Sequence, residues 1–110
     1  MPQDVLERIK SEIGSNKIVV FMKGTPEAPQ CGFSAATVEI LKNFPYPFKG
    51  VDILANPDIR ATLPAFSNWP TFPQIFINGQ LVGGCDIMHE LRDSGELARL
   101  LKEAFEETRK

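Results

Sequence analysis

Ile18-Val19-Val20-Phe21-Met22 is an unbroken apolar run, β-branched at its start. A strand that turns one face to a core alternates apolar and polar residues. Five apolar residues in succession instead suit a strand buried on both faces. Such a strand needs cover above and below the sheet, and the surrounding sequence supplies it. Before the run, Val5, Ile9 and Ile13, with Leu6 beside them, follow helical spacing, and Gly14 is placed to stop that helix. After it, Lys23 to Gln30 reads as a loop punctuated by Gly24, Pro26 and Pro29. Phe33, Thr37, Ile40, Leu41 and Phe44 then share one helical face until Pro45 ends the helix.

The remaining chain completes the pattern. Phe48 to Ile53 reads as a second short strand, and Asn56-Pro57-Asp58 opens a helix with proline in its first turn. Pro73 to Ile77, then Asn78-Gly79, then Gln80-Leu81-Val82 make the strongest hairpin signal in the chain. Gly83-Gly84 breaks the second strand, and Asp86 is placed to cap a helix carrying Ile87, Met88 and Leu91. Leu97, Leu100, Leu101, Ala104 and Phe105 mark a final amphipathic helix. A strand–helix–strand unit forms a right-handed parallel crossover, and the hairpin adds antiparallel strands. The expectation is an α/β domain with a mixed sheet of about four strands, its chemistry lying beyond the C-terminal end of the first strand.

Composition narrows the function classes. At 110 residues, with 43% apolar and 24% charged residues, the chain reads as a single domain, 1–110, with one hydrophobic core. The net charge is −2 and no basic run exceeds Arg109-Lys110, so neither nucleic acid nor a membrane surface is expected as a partner. No stretch approaches the roughly 20 apolar residues of a membrane span. Met1-Pro2-Gln3-Asp4 lacks the basic-then-apolar layout of a secretory signal. Two cysteines are too few for a disulfide scaffold or a self-contained zinc site. A reducing, cytoplasmic setting is expected, although the mature form of an organelle protein would share these features.

Cys31-Gly32-Phe33-Ser34 has the form of a dithiol redox motif whose second sulfur is replaced by a hydroxyl. An alcohol forms no sulfur–sulfur bond, so Cys31 needs a sulfur from a small thiol, a second chain or Cys85. Cys31 stands where the loop meets a helix N-terminus, which carries the equivalent of about +0.5 charge and a set of free amide donors. Both favour a thiolate, a nucleophile or metal ligand at neutral pH, and Lys23 adds a cation on the same side. The competing local reading is a small buried cysteine at a helix start. Trp69 reads as packing or lining the surface near this site, and His89 as an ordinary surface or partner-facing residue.

Four blocks carry a more specific signal: Lys23-Gly24-Thr25-Pro26, Pro29-Gln30-Cys31-Gly32-Phe33-Ser34, Trp69-Pro70-Thr71-Phe72-Pro73-Gln74 and Gly83-Gly84-Cys85-Asp86. In order and spacing they resemble the signature blocks of the monothiol (CGFS-type) glutaredoxins, over Met1 to about Phe105, most closely the short single-domain form. That resemblance implies a thioredoxin-like fold and a labile [2Fe-2S] cluster shared by two protomers in a homodimer. Cys31 of each protomer, and the thiolate of a glutathione held by each, would ligate it. It also implies a glutathione site. Lys23 and Arg60 match the cations for the glycine carboxylate. Thr71, Phe72 and Pro73 match a Thr-x-Pro segment with a cis proline that turns the Phe72 backbone to the cysteinyl part. Gly84, Cys85 and Asp86 match the segment that holds the γ-glutamyl end.

The function so implied is a carrier that passes clusters to apo iron–sulfur proteins, with a BolA-like protein as a further partner. The alternative is a glutathione-dependent reductase of protein–glutathione mixed disulfides, with Cys31 as catalytic nucleophile and weak activity expected. A Cys31–Cys85 disulfide is read as a minor oxidised state.

Overall fold

A computed structural model describes residues 3–106 of the protein. Eleven elements follow one another among these residues: α1 (Gln3–Ser15), β1 (Ile18–Met22), β2 (Gly24–Thr25), β3 (Ala28–Pro29), α2 (Gly32–Lys42), β4 (Lys49–Asp52), α3 (Pro57–Ser67), β5 (Gln74–Ile77), β6 (Gln80–Gly83), α4 (Cys85–Ser94) and α5 (Glu96–Glu106). Residues 109–110, on which the basic-run reading rests in part, lie outside the described residues.

The apolar run does what its composition demands. β1 is buried at every position and sits inside a four-stranded sheet of order β4-β1-β5-β6. It pairs parallel with β4, Val19 opposite Lys49, and antiparallel with β5, Ile18 opposite Ile77. Ile18, Val20 and Met22 face one core with Val38, Ile40 and Leu41 of α2, Met88 of α4 and Leu97 and Leu101 of α5. Val19 and Phe21 face another with Val5 and Ile9 of α1 and Ile59 and Leu63 of α3, where Phe21 and Phe76 meet edge to face with ring centroids 5.7 Å apart. Alternate side chains of one strand therefore seed both cores, and apolar cover lies on each face of the sheet. Arg8 of α1 binds Asp58 and Asn56, closing α1 onto the start of α3. Among the described residues no helix is long and apolar enough to cross a membrane.

The sheet and helices match the expected mixed α/β arrangement, with local differences that have physical causes. The expected loop from Lys23 to Gln30 contains a short antiparallel ladder, Gly24 opposite Pro29 and Thr25 opposite Ala28. α2 ends at Lys42, capped by Asn43, before Pro45 is reached, because Asn43 and Phe44 already donate to Ile40 and Leu41 in a tightened last turn. Phe33 does not join the buried face. It is 63% exposed, while its neighbour Ser34 is wholly buried, because the buried face of α2 runs through Ser34, Thr37, Val38 and Leu41 at helical spacing and Phe33 falls beside it. Asp86 does not cap α4. Gly84 occupies the N-cap and Asp86 lies in the first turn. The Asn78-Gly79 hairpin forms as read: both residues have positive φ (52° and 81°), and Ile77 pairs with Gln80 across the two-residue turn.

Candidate functional site

Four segments, distant in sequence, meet beyond the C-terminal end of β1. They are Lys23 with Cys31, Arg60 and Pro64 of α3, the connector Trp69 to Pro73, and Gly84 to Ile87 at the start of α4. They enclose a cleft of about 600 Å³, within the usual range for a small-molecule site. Lys23, Cys31, Arg60, Thr71, Phe72, Pro73, Gly84, Cys85 and Asp86 all line it. His89, half-buried on α4, is not among the lining residues.

Cys31 is the extended N-cap of α2 (φ −151°, ψ 140°), and its carbonyl accepts the Ala35 N–H at 2.9 Å. Its sulfur makes no capping hydrogen bond of standard geometry. The open helix end nonetheless acts on it. The Ser34 backbone N–H, above all, holds the thiol below its ordinary pKa, helped by the Phe33 N–H, the Lys23 charge and the Ser34 hydroxyl, with partial burial opposing. Ser34 is 0% exposed, and its Oγ accepts the Lys23 N–H at 3.1 Å. The hydroxyl that replaces the second sulfur is therefore a structural joint between β1 and α2. It is sealed from solvent and unavailable to a substrate.

Lys23 is held on three sides. Its N–H goes to Ser34, its carbonyl accepts the Gln30 N–H at 2.8 Å, and the next N–H, of Gly24, goes to Asp52 Oδ1 at 3.0 Å. Gly24 itself has φ +93°, and a Cβ there would stand 2.6 Å from the Ala28 carbonyl oxygen, so no other residue type suits this bend. Opposite, Arg60 projects from α3. Pro64, four residues on, has no N–H to return to the Arg60 carbonyl.

The Phe72–Pro73 peptide is cis, as the family resemblance implied. Its connector is tied at the other end, where Trp69 N–H donates to the Pro64 carbonyl at 3.3 Å and Gln74 Nε2 donates to the Trp69 carbonyl at 2.8 Å. Gly84 brings α4 close, since a Cβ on it would lie 3.3 Å from the Pro73 oxygen and 3.4 Å from Trp69 Nε1. That indole nitrogen is buried without a protein partner. Because Met88 N–H is the amide that reaches the Gly84 carbonyl, the amides of Cys85, Asp86 and Ile87 precede the helical ladder and are free to meet an anionic group. Cys85 is buried, and both cysteines are free thiols.

The site thus offers one activated thiol, two cations, a tight backbone wall and a helix start with a carboxylate, Asp86, at its edge. That set suits a small peptide with anionic ends and a cationic amine. Among the described residues no group of three or more histidines, cysteines, aspartates and glutamates could hold a metal ion without outside ligands. The sequence reading omitted Pro64, Pro70, Ile87 and Phe33 from the lining, and it missed the bracing roles of Gln74 and Asp52. Only Pro64 carried a local signal, as a proline inside a helix. Gln74 and Asp52 act across turns and strands whose approach no periodicity reports.

A family profile for Glutaredoxin matches residues 18–82. Glutaredoxin 4 of Pasteurella multocida (strain Pm70) is 55% identical over 98 residues, covering 89% of this chain and 90% of that protein. The solution structure of reduced poplar apo GrxS14 superposes with a TM-score of 0.82 at 46% identity, covering 92% of this chain and 93% of that one. The crystal structure of a buckwheat glutaredoxin–glutathione complex gives a TM-score of 0.83 at 25% identity, covering 93% and 91% respectively.

Proposed function

Because the chain belongs to the glutaredoxin family, we propose that it binds glutathione in the cleft and carries a labile [2Fe-2S] cluster to acceptor proteins. The observation that carries this reading is the asymmetry of the motif. Cys31 opens on the cleft as a favoured thiolate, while the Ser34 oxygen is buried and engaged with the Lys23 N–H. A [2Fe-2S] cluster takes four thiolates. One Cys31 from each protomer of a homodimer supplies half of them, and two glutathione thiolates complete the set. A cluster held partly by a dissociable ligand is suited to transfer.

The cleft residues support glutathione in particular. Lys23 and Arg60 provide cations for the glycine carboxylate, and the Phe72 backbone beside the cis proline faces the cysteinyl portion for strand-like pairing. The free amides at the start of α4 and the Asp86 carboxylate suit the γ-glutamyl carboxylate and amine. The proposal extends to apo iron–sulfur proteins as acceptors, a BolA-like protein as partner and a reducing, cytoplasmic location.

Anaerobic reconstitution with iron, sulfide and glutathione, followed by visible absorption and gel filtration, tests it. The expected product is a coloured dimer that forms only with glutathione and is absent in Cys31→Ser. A colourless monomer with or without glutathione sinks the carrier reading.

The lowered pKa of Cys31 also favours a second reading, as a reductase of protein–glutathione mixed disulfides. The Cys31 thiolate would attack the glutathionyl sulfur and release the protein thiolate. A second glutathione thiolate would then attack the Cys31–glutathione disulfide, leaving oxidised glutathione and free Cys31. Turnover of a glutathionylated protein at the rates of dithiol enzymes would promote this reading over the carrier.

A further inference from the structure

Asp52 lies outside the cleft, yet one of its oxygens touches the backbone of both segments that carry the cleft cations. Oδ1 accepts the Gly24 N–H at 3.0 Å and the Leu54 N–H at 2.8 Å. Gly24 follows Lys23 directly, and Leu54 lies in the turn of residues 53–55 that leads towards α3 and Arg60. The same residue's carbonyl accepts Asn56 Nδ2 at 2.9 Å, and Asn56 is the N-cap of α3. Asp52 also pairs with Met22 at the last position of the parallel ladder. The adjoining loop leaves little slack, since a Cβ on Gly50 would stand 2.5 Å from Pro26 Cγ, and Lys42 Nζ donates to the Pro26 carbonyl at 3.3 Å.

We infer that Asp52 is a positioning residue that sets the spacing between Lys23 and Arg60, and through it the recognition of the terminal carboxylate of the bound peptide. Two cations on separate elements grip one carboxylate only if their separation is held, and a shared acceptor at the base of both elements holds it. The acceptor geometry is what counts, so an uncharged amide oxygen at the same place serves equally well. This inference rests on the cleft being a glutathione site and does not depend on a cluster.

The test uses S-methylglutathione, which has no free thiol, and its glycinamide analogue, which has the same length without the terminal charge. Trp69, the sole tryptophan, lines the cleft and reports binding by fluorescence. Asp52→Ala is expected to weaken S-methylglutathione by about tenfold and the glycinamide analogue by less than about twofold. Asp52→Asn, which keeps the acceptor oxygen, is expected to restore wild-type affinity for both. Equal losses for the two ligands in Asp52→Ala would show a general structural role and overturn the inference, as would no loss for either. A wild type that binds neither ligand overturns the glutathione reading and this inference together. Should Asp52→Ala fail to fold, amide exchange in the wild type replaces it: slow exchange at both Gly24 and Leu54 is expected, and rapid exchange at either one overturns the shared-acceptor arrangement.

Discussion

At the residue scale, the replacement of a second sulfur by Ser34 changes the electrostatics of Cys31 as well as its redox chemistry. The Ser34 hydroxyl accepts the Lys23 N–H and helps to hold the Cys31 thiol below its ordinary value. A depressed thiol pKa means that more thiolate is present at neutral pH than in an ordinary cysteine, and that it is lost only as pH falls further. Alkylation of Cys31 by iodoacetamide, followed against pH, is therefore expected to show a midpoint below that of a free cysteine. In Ser34→Ala the midpoint rises part of the way back, because the Ser34 and Phe33 backbone amides remain. The same substitution leaves the Lys23 N–H without a partner in a sealed position, so a loss of about 1–3 kcal/mol in chemical denaturation is expected.

At the scale of elements, the segment between β1 and α2 works as a brace. Its small ladder is closed by Gln30 N–H to the Lys23 carbonyl, by Ala28 N–H to Thr25 Oγ1 at 3.1 Å, and by contact of Pro26 with Gly50 of β4. Gly50 has an ordinary backbone, so space alone demands glycine there. Gly50→Ala is expected to destabilise by about 1–3 kcal/mol through overpacking against Pro26. It is also expected to weaken S-methylglutathione binding as the brace shifts Lys23. Thermal melting and ligand titration check the two effects separately. Unchanged melting would show that Pro26 yields without cost.

At the scale of the molecule, the site depends on a sheet that carries apolar cover on both faces. Phe21 is fully buried, meets Phe76 edge to face, and sits one residue before Met22, whose carbonyl accepts the Ile53 N–H at 2.8 Å. Phe21→Ala is expected to cost about 3–5 kcal/mol by leaving a cavity between the sheet and α1 and α3. The measurement is equilibrium unfolding in urea. A cost near 1 kcal/mol would mean that the core collapses around the gap. On the other face, Tyr46 stacks on Phe105 with ring centroids 4.7 Å apart, joining the end of α5 to the segment before β4.

The elements legible from sequence are those whose signals are local. The five apolar residues of β1, the spacing in α1, α2 and α5, and the Asn78-Gly79 turn are each dictated within a few residues, because helical and strand periodicity and positive-φ turns are short-range properties. The activated setting of Cys31 was legible for the same reason, since a helix N-terminus follows from the loop and the apolar pattern beside it. Lys23 was also legible locally, as a cation at the end of β1, whereas the ligand roles of Arg60, Thr71 and Asp86 were named through the family resemblance, since as isolated polar residues they carry no signature of a ligand. Tertiary structure alone decided that Phe33 faces outward while Ser34 is sealed, because it set which helical face of α2, the one through Ser34, Thr37, Val38 and Leu41, packs on the sheet. It alone decided that the Asp52 oxygen accepting the nearby Leu54 N–H also reaches Gly24, a residue far away in sequence. That Gly24 contact exists only once β1 and β4 have been brought side by side, and no residue's own chemistry specifies which distant amide it will meet.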